Sequence, residues 1–462
     1  MAKKDPNTAD KSVTLGLNQT SKFTVLDAPG VTQPDLTVLI THDTPGTAST
    51  TASNDETANT KEGGQGRRAL ASSGPKMQGG IQLGGDCFVK RTANPDWLKA
   101  RCAVYDSIQA RRQAELNTKK PVEITVTMPD GKLLDTDKEG NKFLAWKSTP
   151  FDVARCISQG LADAASVARV TYTAYVDDYS PAEDGMEGVD TMADAMEDSG
   201  VEGSTDHKTI LWDMTRPLVG SVTKLELLKF EDDQEAKTVF WHSSAHMLGE
   251  ALEHLYGCKL TIGPPLAGGF YYDSYMGKDA FREEDCKYNC GVSWSTTTYV
   301  ISSYQHCVPC ASILDTPVES EVTKIIKAKQ KFERMVITKE EGLELFADNP
   351  FKVNILKTKV ADGTRTTVYK CGDLIDLCRG PHLPNTGKVK AFATTRHSAT
   401  NWLGDTNNDT LQRMYGISFP DKKMLKVWQE NQEKVSVESY QRQRKTETRA
   451  RTIQIRISFS DK

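Results

Sequence analysis

WHSSAHMLGEALEHLYG, residues 241–257, places two histidines four residues apart in a segment whose pattern predicts a helix. His242 and His246 would then lie one turn apart on the same face, within reach of a common atom. Such a pair leaves two interpretations open: part of a functional site, or two half-buried side chains of a core. A chemical partner elsewhere in the chain is needed to decide between them.

The ends of this helix can be predicted from its flanks. Asp232 and Asp233 stand near its start, where carboxylates suit the positive end of the helix dipole, and Gly257 is a typical stop. Apolar and small residues recur at three- and four-residue spacing, which predicts one buried stripe. That stripe comprises Ala236, Phe240, Ser244, Leu248, Ala251 and Leu255.

The composition narrows the classes of function. The 462 residues include 58 Lys and Arg against 62 Asp and Glu, so any nucleic-acid surface must be local rather than a global basic field. Neither an apolar run of transmembrane length nor a secretory start is found, which predicts a cytoplasmic protein without a membrane partner. The 10 cysteines are then expected to be free thiols or ligands.

Residues 1–94 form a low-complexity extension rich in Thr, Gly, Ser and Asn, a composition that predicts disorder. Within it, KFTVLDAPG (22–30) resembles the strand and Asp-x-x-Gly turn of translation-factor GTPases. The chain has no G-x-x-x-x-G-K-[ST] loop to hold phosphates, so no nucleotide site is predicted. Residues 95–120 follow as a charged helix, either an RNA contact or a solvated face. The basic residues that suggest an RNA contact are Arg101, Arg111, Arg112, Lys119 and Lys120.

Residues 121–231 predict a small α+β module. VEITVTM alternates as a strand, a Pro-Asp-Gly-Lys turn follows, and a second strand is expected at about 143–147. Thr149 and Asp152 form a predicted capping box around Pro150, for a helix that runs to about Gly160. The closing strands are expected within 209–230, after an acidic insertion at about 171–208. This order resembles the ubiquitin-like TGS domain.

The partner for the two histidines comes in YKCGDLIDLCRGPHLP, residues 369–384. Cys378 and His382 form a C-x-x-x-H, and Pro381 predicts a loop rather than a helix. Together with the histidine pair, this makes a set of four metal-capable ligands, which favours a functional site. A second set, comprising Cys286, Cys290, Cys307 and Cys310, suggests a zinc ribbon only weakly, because it lies in and beside a second predicted insertion at about 288–321.

The motifs around these residues resemble the second amino-terminal domain of the threonyl-tRNA synthetases, which removes wrongly attached serine from tRNA. They occur in family order across 121–435, and the 97–120 helix resembles the cytosolic branch. The resemblance implies an α+β fold: a TGS-like module, then an editing domain over 232–435. The family pattern stops there, and residues 436–462 form a basic tail. The matching segments are WHSSAHMLGEAL, IGPPLAGGFYYD, FKVNIL, LIDLCRGPH and LQRMYGISFPDKKML.

The resemblance also implies the site and its roles. His242 would activate water or assist the leaving group, and Lys352 would orient water or stabilise negative charge on the carbonyl oxygen. Asp376 would hold the substrate's amino group. The other members would shape the pocket: His246, Tyr272, Cys378 and His382. The substrate would be serine-charged tRNA(Thr), with a full-length synthetase or a second copy as a further partner.

Cofactor use is predicted to be absent for this hydrolysis. The rival is zinc held by His242, His246, Cys378 and His382, since related alanyl-tRNA editing domains carry the same pattern. ATP would serve only the family's aminoacylation core, which this sequence lacks, so the chain is not expected to charge tRNA alone. Gly268 stands where the family usually has Asn, and HSATNWLGD departs from its usual pattern. The alternative function is a non-catalytic RNA-binding or interaction fragment that keeps both folds.

Overall fold

The computed structural model describes residues 80–185, 209–286, 316–432 and 434–435. The GTPase-like stretch 22–30, the basic tail and most of the second cysteine set lie outside the described residues. The prediction of disorder over 1–94 is wrong for residues 80–94, because Phe88 is buried and Arg91 forms an ion pair with Asp279. Cys286 is the one described member of that set, and its side chain is buried. Within the described ranges, no helix is long and apolar enough to span a membrane.

The first helix, α1, covers Asp96–Thr118. Arg101 forms a buried ion pair with Glu253, and Arg112 donates to Glu341 at 2.6 Å. The interpretation of this basic face as a free RNA contact is therefore wrong for these two residues, because their guanidinium groups hold the helix against the rest of the chain. The side chains that α1 buries are Leu98, Arg101, Tyr105 and Ile108.

The TGS-like module contains a five-stranded sheet with strand order β2-β1-β5-β3-β4. β1 and β5 pair in parallel, while the other neighbours are antiparallel. Two short helices pack on this sheet around a separate hydrophobic core. The elements are β1 (Val126–Thr127), β2 (Leu133–Leu134), α2 (Pro150–Ile157), α3 (Gln159–Ala164), β3 (Val167–Tyr175), β4 (Thr209–Trp212) and β5 (Gly220–Leu228).

The second strand of this module was predicted in the wrong place. It lies at Leu133–Leu134, directly after the turn, because Gly131 adopts φ 82° and closes a tight hairpin. Residues 143–147 are not a strand. Leu144 forms only an isolated bridge with Glu123.

The predicted capping box at Thr149 is confirmed, but the helix ends at Ile157 rather than near Gly160. Ser158 is extended, with φ −160° and ψ 149°, so it ends α2, and its side chain then caps α3. The insertion also begins later than predicted. Residues 171–175 belong to β3 and pair with β5.

The second module contains two antiparallel sheets and most of the larger core. One sheet has the order β11-β10-β9, and the other has the order β12-β13-β8-β6, with β7 paired to β8. A helix over 422–432 follows the last strand. The elements are α4 (Gln234–Tyr256), β6 (Lys259–Leu260), β7 (Pro265–Leu266), β8 (Gly269–Tyr275), α5 (Pro317–Ala328), β9 (Phe332–Thr338), α6 (Lys339–Leu345), α7 (Pro350–Lys359), β10 (Arg365–Cys371), β11 (Leu374–Leu377), β12 (Ala391–Asn401) and β13 (Thr410–Phe419).

Helix α4 is the predicted histidine helix, and both its ends are confirmed. The Asp233 carboxylate accepts from the backbone N–H groups of residues 235 and 236, and Gly257 ends the helix at φ 63°. The prediction of one buried stripe on α4 is incomplete. The helix contacts strands of both sheets and buries polar residues on its other faces. Of the stripe, Leu255 is only partly buried.

Glu250 shows what this burial does to a charged group. Its Oε1 accepts from Gln330 Nε2 at 2.8 Å, while Oε2 has no hydrogen-bond partner among the described residues. Burial raises the pKa of Glu250 from 4.5 to about 8, with smaller contributions from neighbouring groups. The folded protein therefore keeps this proton at pH 7, whereas the unfolded chain releases it.

We expect Glu250 to make the free energy of unfolding fall as pH rises from about 4.5 to about 8. Below this window both states hold the proton, and within it the slope reaches at most about 1.4 kcal/mol per pH unit. Glu250→Gln keeps the shape and the acceptor for Gln330, so it should remove this component. Urea unfolding at several pH values measures it. Exposed Glu340→Gln is the control, and equal slopes in both variants would contradict the expectation.

Candidate functional site

Four potential ligands meet beside α4. His242 and His246 come from that helix, Cys378 follows β11, and His382 lies in the loop after it. One ligand atom from each residue lies within 4.8 Å of all the others. The histidine pair and the Cys-x-x-x-His motif, far apart in sequence, therefore form one cluster, which we call the His–Cys cluster.

The Cys378 sulfur lies between two imidazoles. Its Sγ is 3.4 Å from His242 Nε2 and 3.1 Å from His382 Nε2, and the Gly380 backbone N–H donates to it at 3.2 Å. A thiol in this position can exchange a proton with either ring.

Ser243 defines the tautomer of His382. Its hydroxyl donates to the Val239 carbonyl at 2.8 Å, so Ser243 Oγ acts as an acceptor toward His382 Nδ1, 3.0 Å away. Nδ1 must then carry the ring proton, and the Nε2 lone pair points to Cys378. Phe332 stacks on the His382 ring at a centroid distance of 5.0 Å and an interplanar angle of 10°, which holds the ring plane.

His246 is the buried member with unused ring nitrogens. Neither nitrogen has a hydrogen-bond partner among the described residues, although the side chain is fully buried. Its Nε2 lies 3.7 Å from Asp376 Oδ2. A buried polar group without a partner is costly, so His246 is suited to a ligand, a metal ion or a water held in the site.

Asp376 joins the remaining predicted residues. Lys352, from α7, forms an ion pair with Oδ1, and the Tyr272 hydroxyl, from β8, donates to Oδ2. All three side chains are almost fully buried. Burial alone would raise the pKa of Asp376, but the Lys352 charge, then His246, and the two hydrogen bonds outweigh it and hold the pKa below its usual value. The structure therefore brings together all seven predicted site residues.

All three imidazoles are neutral at pH 7. Burial lowers the pKa of His242 to about 3 and that of His246 to about 4. The pKa of His382 is also lowered well below 6.5, by burial and then by the two other histidines. Of the three, His242 alone keeps some exposure, so it lies at the accessible edge of the cluster.

The residues of the His–Cys cluster fit a zinc ion. They are three neutral imidazoles and a thiol, a donor set that zinc accepts. His382 presents Nε2 because Ser243 holds Nδ1, and the unpartnered nitrogens of His246 leave it free to bind. If held by three of these residues, with the fourth position left to water or to the ester, zinc would polarise a carbonyl or lower the pKa of a water molecule.

Several contributors to this site were not predicted from the sequence. Ser243 orients His382, and Phe332 stacks on it. Asp213, from the TGS-like module, accepts from the His382 backbone N–H at 2.8 Å and from the Tyr369 hydroxyl at 2.9 Å. No spacing rule connects residues so distant in the chain. The only sequence feature that pointed to any of them is the position of Ser243 next to His242.

A cavity of about 810 Å³ lies where α1, the TGS-like module and β9 meet. Asp213 and Phe332 line it, but the His–Cys cluster does not. The cluster therefore lies behind the wall of this cavity, and its own accessible edge is at His242. Aromatic side chains also line the cavity: Trp146, Phe151, Tyr179 and Phe332.

Comparison with known protein families agrees with the two modules. Residues 124–185 match the TGS domain, and residues 366–415 match the "Threonyl and Alanyl tRNA synthetase second additional domain". The second match includes Asp376, Cys378 and His382. The predicted α+β fold, a TGS domain followed by an editing-type domain, is confirmed.

Curated relatives give the same result over a longer stretch. The chain is 39% identical over 342 residues to the cytoplasmic threonine–tRNA ligase of Caenorhabditis elegans, covering 74% of this chain and 37% of that protein. It is 39% identical over 342 residues to human cytoplasmic threonine–tRNA ligase 1, covering 73% and 37%. For mitochondrial threonine–tRNA ligase 1 of Arabidopsis thaliana, identity is 38% over 333 residues, covering 72% and 36%. The chain therefore spans under two fifths of the length of these relatives.

Proposed function

We propose that this chain, which contains the TGS and second additional domains of threonyl-tRNA synthetases, hydrolyses the ester between serine and the 3′ end of tRNA(Thr). We place this activity in the cytoplasm, either within a fuller synthetase or on released Ser-tRNA. The observation that carries the proposal is the convergence of the His–Cys cluster with the Lys352–Asp376–Tyr272 group. Such a site offers proton acceptors and a fixed positive charge side by side.

His242 is the proposed proton acceptor. It is neutral at pH 7, and its partial exposure lets it contact a water molecule held against the seryl carbonyl. When the water attacks, the carbonyl carbon becomes tetrahedral and the water proton passes to His242. The proton then goes to the ribose 3′ oxygen as the ester bond breaks. Cys378, 3.4 Å from His242 Nε2, holds the ring in place during these transfers.

Lys352 and Asp376 are proposed to bind the reacting ester. The Lys352 ammonium has three N–H donors and gives one to Asp376, so another can stabilise the negative carbonyl oxygen. Asp376 has lone pairs beyond those used by Lys352 and Tyr272, so it can accept from the seryl ammonium group. The roles needed for hydrolysis are thus filled by side chains, and we propose that the reaction proceeds without a metal.

The proposal predicts that purified chain hydrolyses Ser-tRNA(Thr) much faster than Thr-tRNA(Thr). Threonine carries one more methyl group, and a close-packed wall rejects it by steric clash and by displacing the attacking water. Tyr272, fully buried and bonded to Asp376, is part of that wall. Release of labelled amino acid from each charged tRNA measures the preference.

Two substitutions of Tyr272 test whether its ring excludes threonine. Tyr272→Ala opens the wall and should narrow the preference, whereas Tyr272→Phe removes only the hydroxyl and should keep it. Equal hydrolysis of both esters by the intact chain would contradict the wall. Binding of tRNA without any hydrolysis would instead support the alternative, a non-catalytic RNA-binding fragment.

A further inference from the structure

Asp213 is a buried carboxylate that the TGS-like module contributes to the site. It follows β4 in the loop before β5, and only 5% of it is exposed. It lies outside the 366–415 match that contains the Cys378–His382 loop. Its side chain nevertheless points across the junction between the two modules, because both of its oxygens accept hydrogen bonds from the second module.

The two hydrogen bonds of Asp213 converge on His382. Oδ1 accepts from the His382 backbone N–H at 2.8 Å, and Oδ2 accepts from the Tyr369 hydroxyl at 2.9 Å. The Tyr369 ring in turn packs edge-on against the His382 ring, with a centroid distance of 4.5 Å. One carboxylate therefore holds both the backbone of His382 and an aromatic ring that contacts its imidazole.

We infer that Asp213 is a positioning residue for the hydrolysis proposed above: it fixes the Cys378–His382 loop, and with it the His–Cys cluster. The inference rests on that proposed function. It gives the TGS-like module a direct part in the site, because the loop that carries two cluster members is held by a side chain of another module.

The physical basis is the cost of moving a catalytic group. Without Asp213, the His382 N–H and the Tyr369 hydroxyl lose a buried acceptor, and the loop must shift to find another partner. Cys378 would move with it, since its sulfur lies 3.1 Å from His382 Nε2. A misplacement of about 1 Å can cost on the order of 10²-fold in rate while leaving substrate binding intact.

Two substitutions of Asp213 distinguish its hydrogen-bond contacts from its negative charge. Asp213→Asn keeps an oxygen for the His382 N–H, and its amide N–H can donate to the Tyr369 oxygen, so it should stay within about 5-fold of the wild-type kcat. Asp213→Ala removes both contacts and should lower kcat by roughly 10- to 10²-fold, with KM within about 3-fold. The matched control is Asp184→Asn, because Asp184 binds Arg334 at 2.9 Å across the same junction without touching His382.

Several kinetic results would contradict the positioning role of Asp213. A normal kcat in Asp213→Ala, or a change confined to KM, would overturn it. So would Asp213→Asn as defective as Asp213→Ala, which would indicate a need for the charge rather than for the contacts. An equal loss in Asp184→Asn would also overturn it, since the effect would then come from the junction as a whole.

A second readout does not depend on hydrolysis. Nitrogen-15 spectra of histidine-labelled chain report which ring nitrogen of His382 carries the proton. We expect the Nδ1–H tautomer in wild type, Asp213→Asn and Asp184→Asn, and a mixture of tautomers in Asp213→Ala. If the wild-type chain proves inactive, the proposed function fails, yet this result still decides the role of Asp213: an unchanged His382 signal in Asp213→Ala would overturn it.

Discussion

Replacing His242 with alanine should lower the rate of Ser-tRNA hydrolysis by about 10²-fold or more, the usual contribution of a positioned proton acceptor. His242 is the member of the His–Cys cluster with an exposed edge, and burial keeps it neutral at pH 7. His382 uses both ring nitrogens, with Ser243 and Cys378, and His246 Nε2 lies 3.7 Å from Asp376 Oδ2, so we do not expect either to take over this role. Single-turnover deacylation of labelled Ser-tRNA measures the chemical step directly.

The control for this result is a histidine outside the cluster. His397 lies on β12 and is partly exposed, so His397→Ala should keep the wild-type rate. An unchanged rate in folded His242→Ala would remove this residue from the mechanism. The same samples test the metal: we expect no loss of rate after dialysis against a chelator. A loss restored by zinc, together with one zinc per chain, would replace the metal-free mechanism with the zinc alternative.

The sequence predicts those parts of the site that depend on residues close together in the chain. The ends of α4 follow from Asp233 and Gly257, because capping is decided by neighbouring residues. The contact between the histidine pair and the Cys378–His382 motif was predicted from ligand chemistry and from the family resemblance. Ser243 could not be assigned, since its bond to His382 joins residues 139 positions apart.

The errors within the fold have local causes as well. The strand expected at 143–147 lies instead at Leu133–Leu134. Gly131 closes a short hairpin, so the residues directly after the turn pair with β1. The single stripe on α4 failed for a different reason. A helix that contacts two sheets buries residues all round, and periodicity alone reports only the most apolar face.

Two buried charges of opposite sign stabilise the fold only while both are present, because removing one leaves the other without a partner. Lys352 and Asp376 form an ion pair in which each side chain is at most 3% exposed. Lys352→Met leaves the Asp376 carboxylate buried without its cation, and Asp376→Asn leaves the ammonium without its anion. Each single variant should lower the free energy of unfolding by about 3–5 kcal/mol. Urea unfolding of the purified variants measures the change.

The double variant Lys352→Met with Asp376→Asn should recover most of the lost stability, because it buries no uncompensated charge. It should nevertheless remain inactive, since neither the carbonyl oxygen nor the seryl ammonium then finds a charged partner. The exposed pair Lys142 and Asp135 is the control, and Lys142→Met there should leave the free energy of unfolding unchanged within error. Additive losses in the double variant would show that the two charges are not coupled. A stable and active double variant would instead remove both residues from catalysis, because it would separate the folding role of the pair from any role in the reaction.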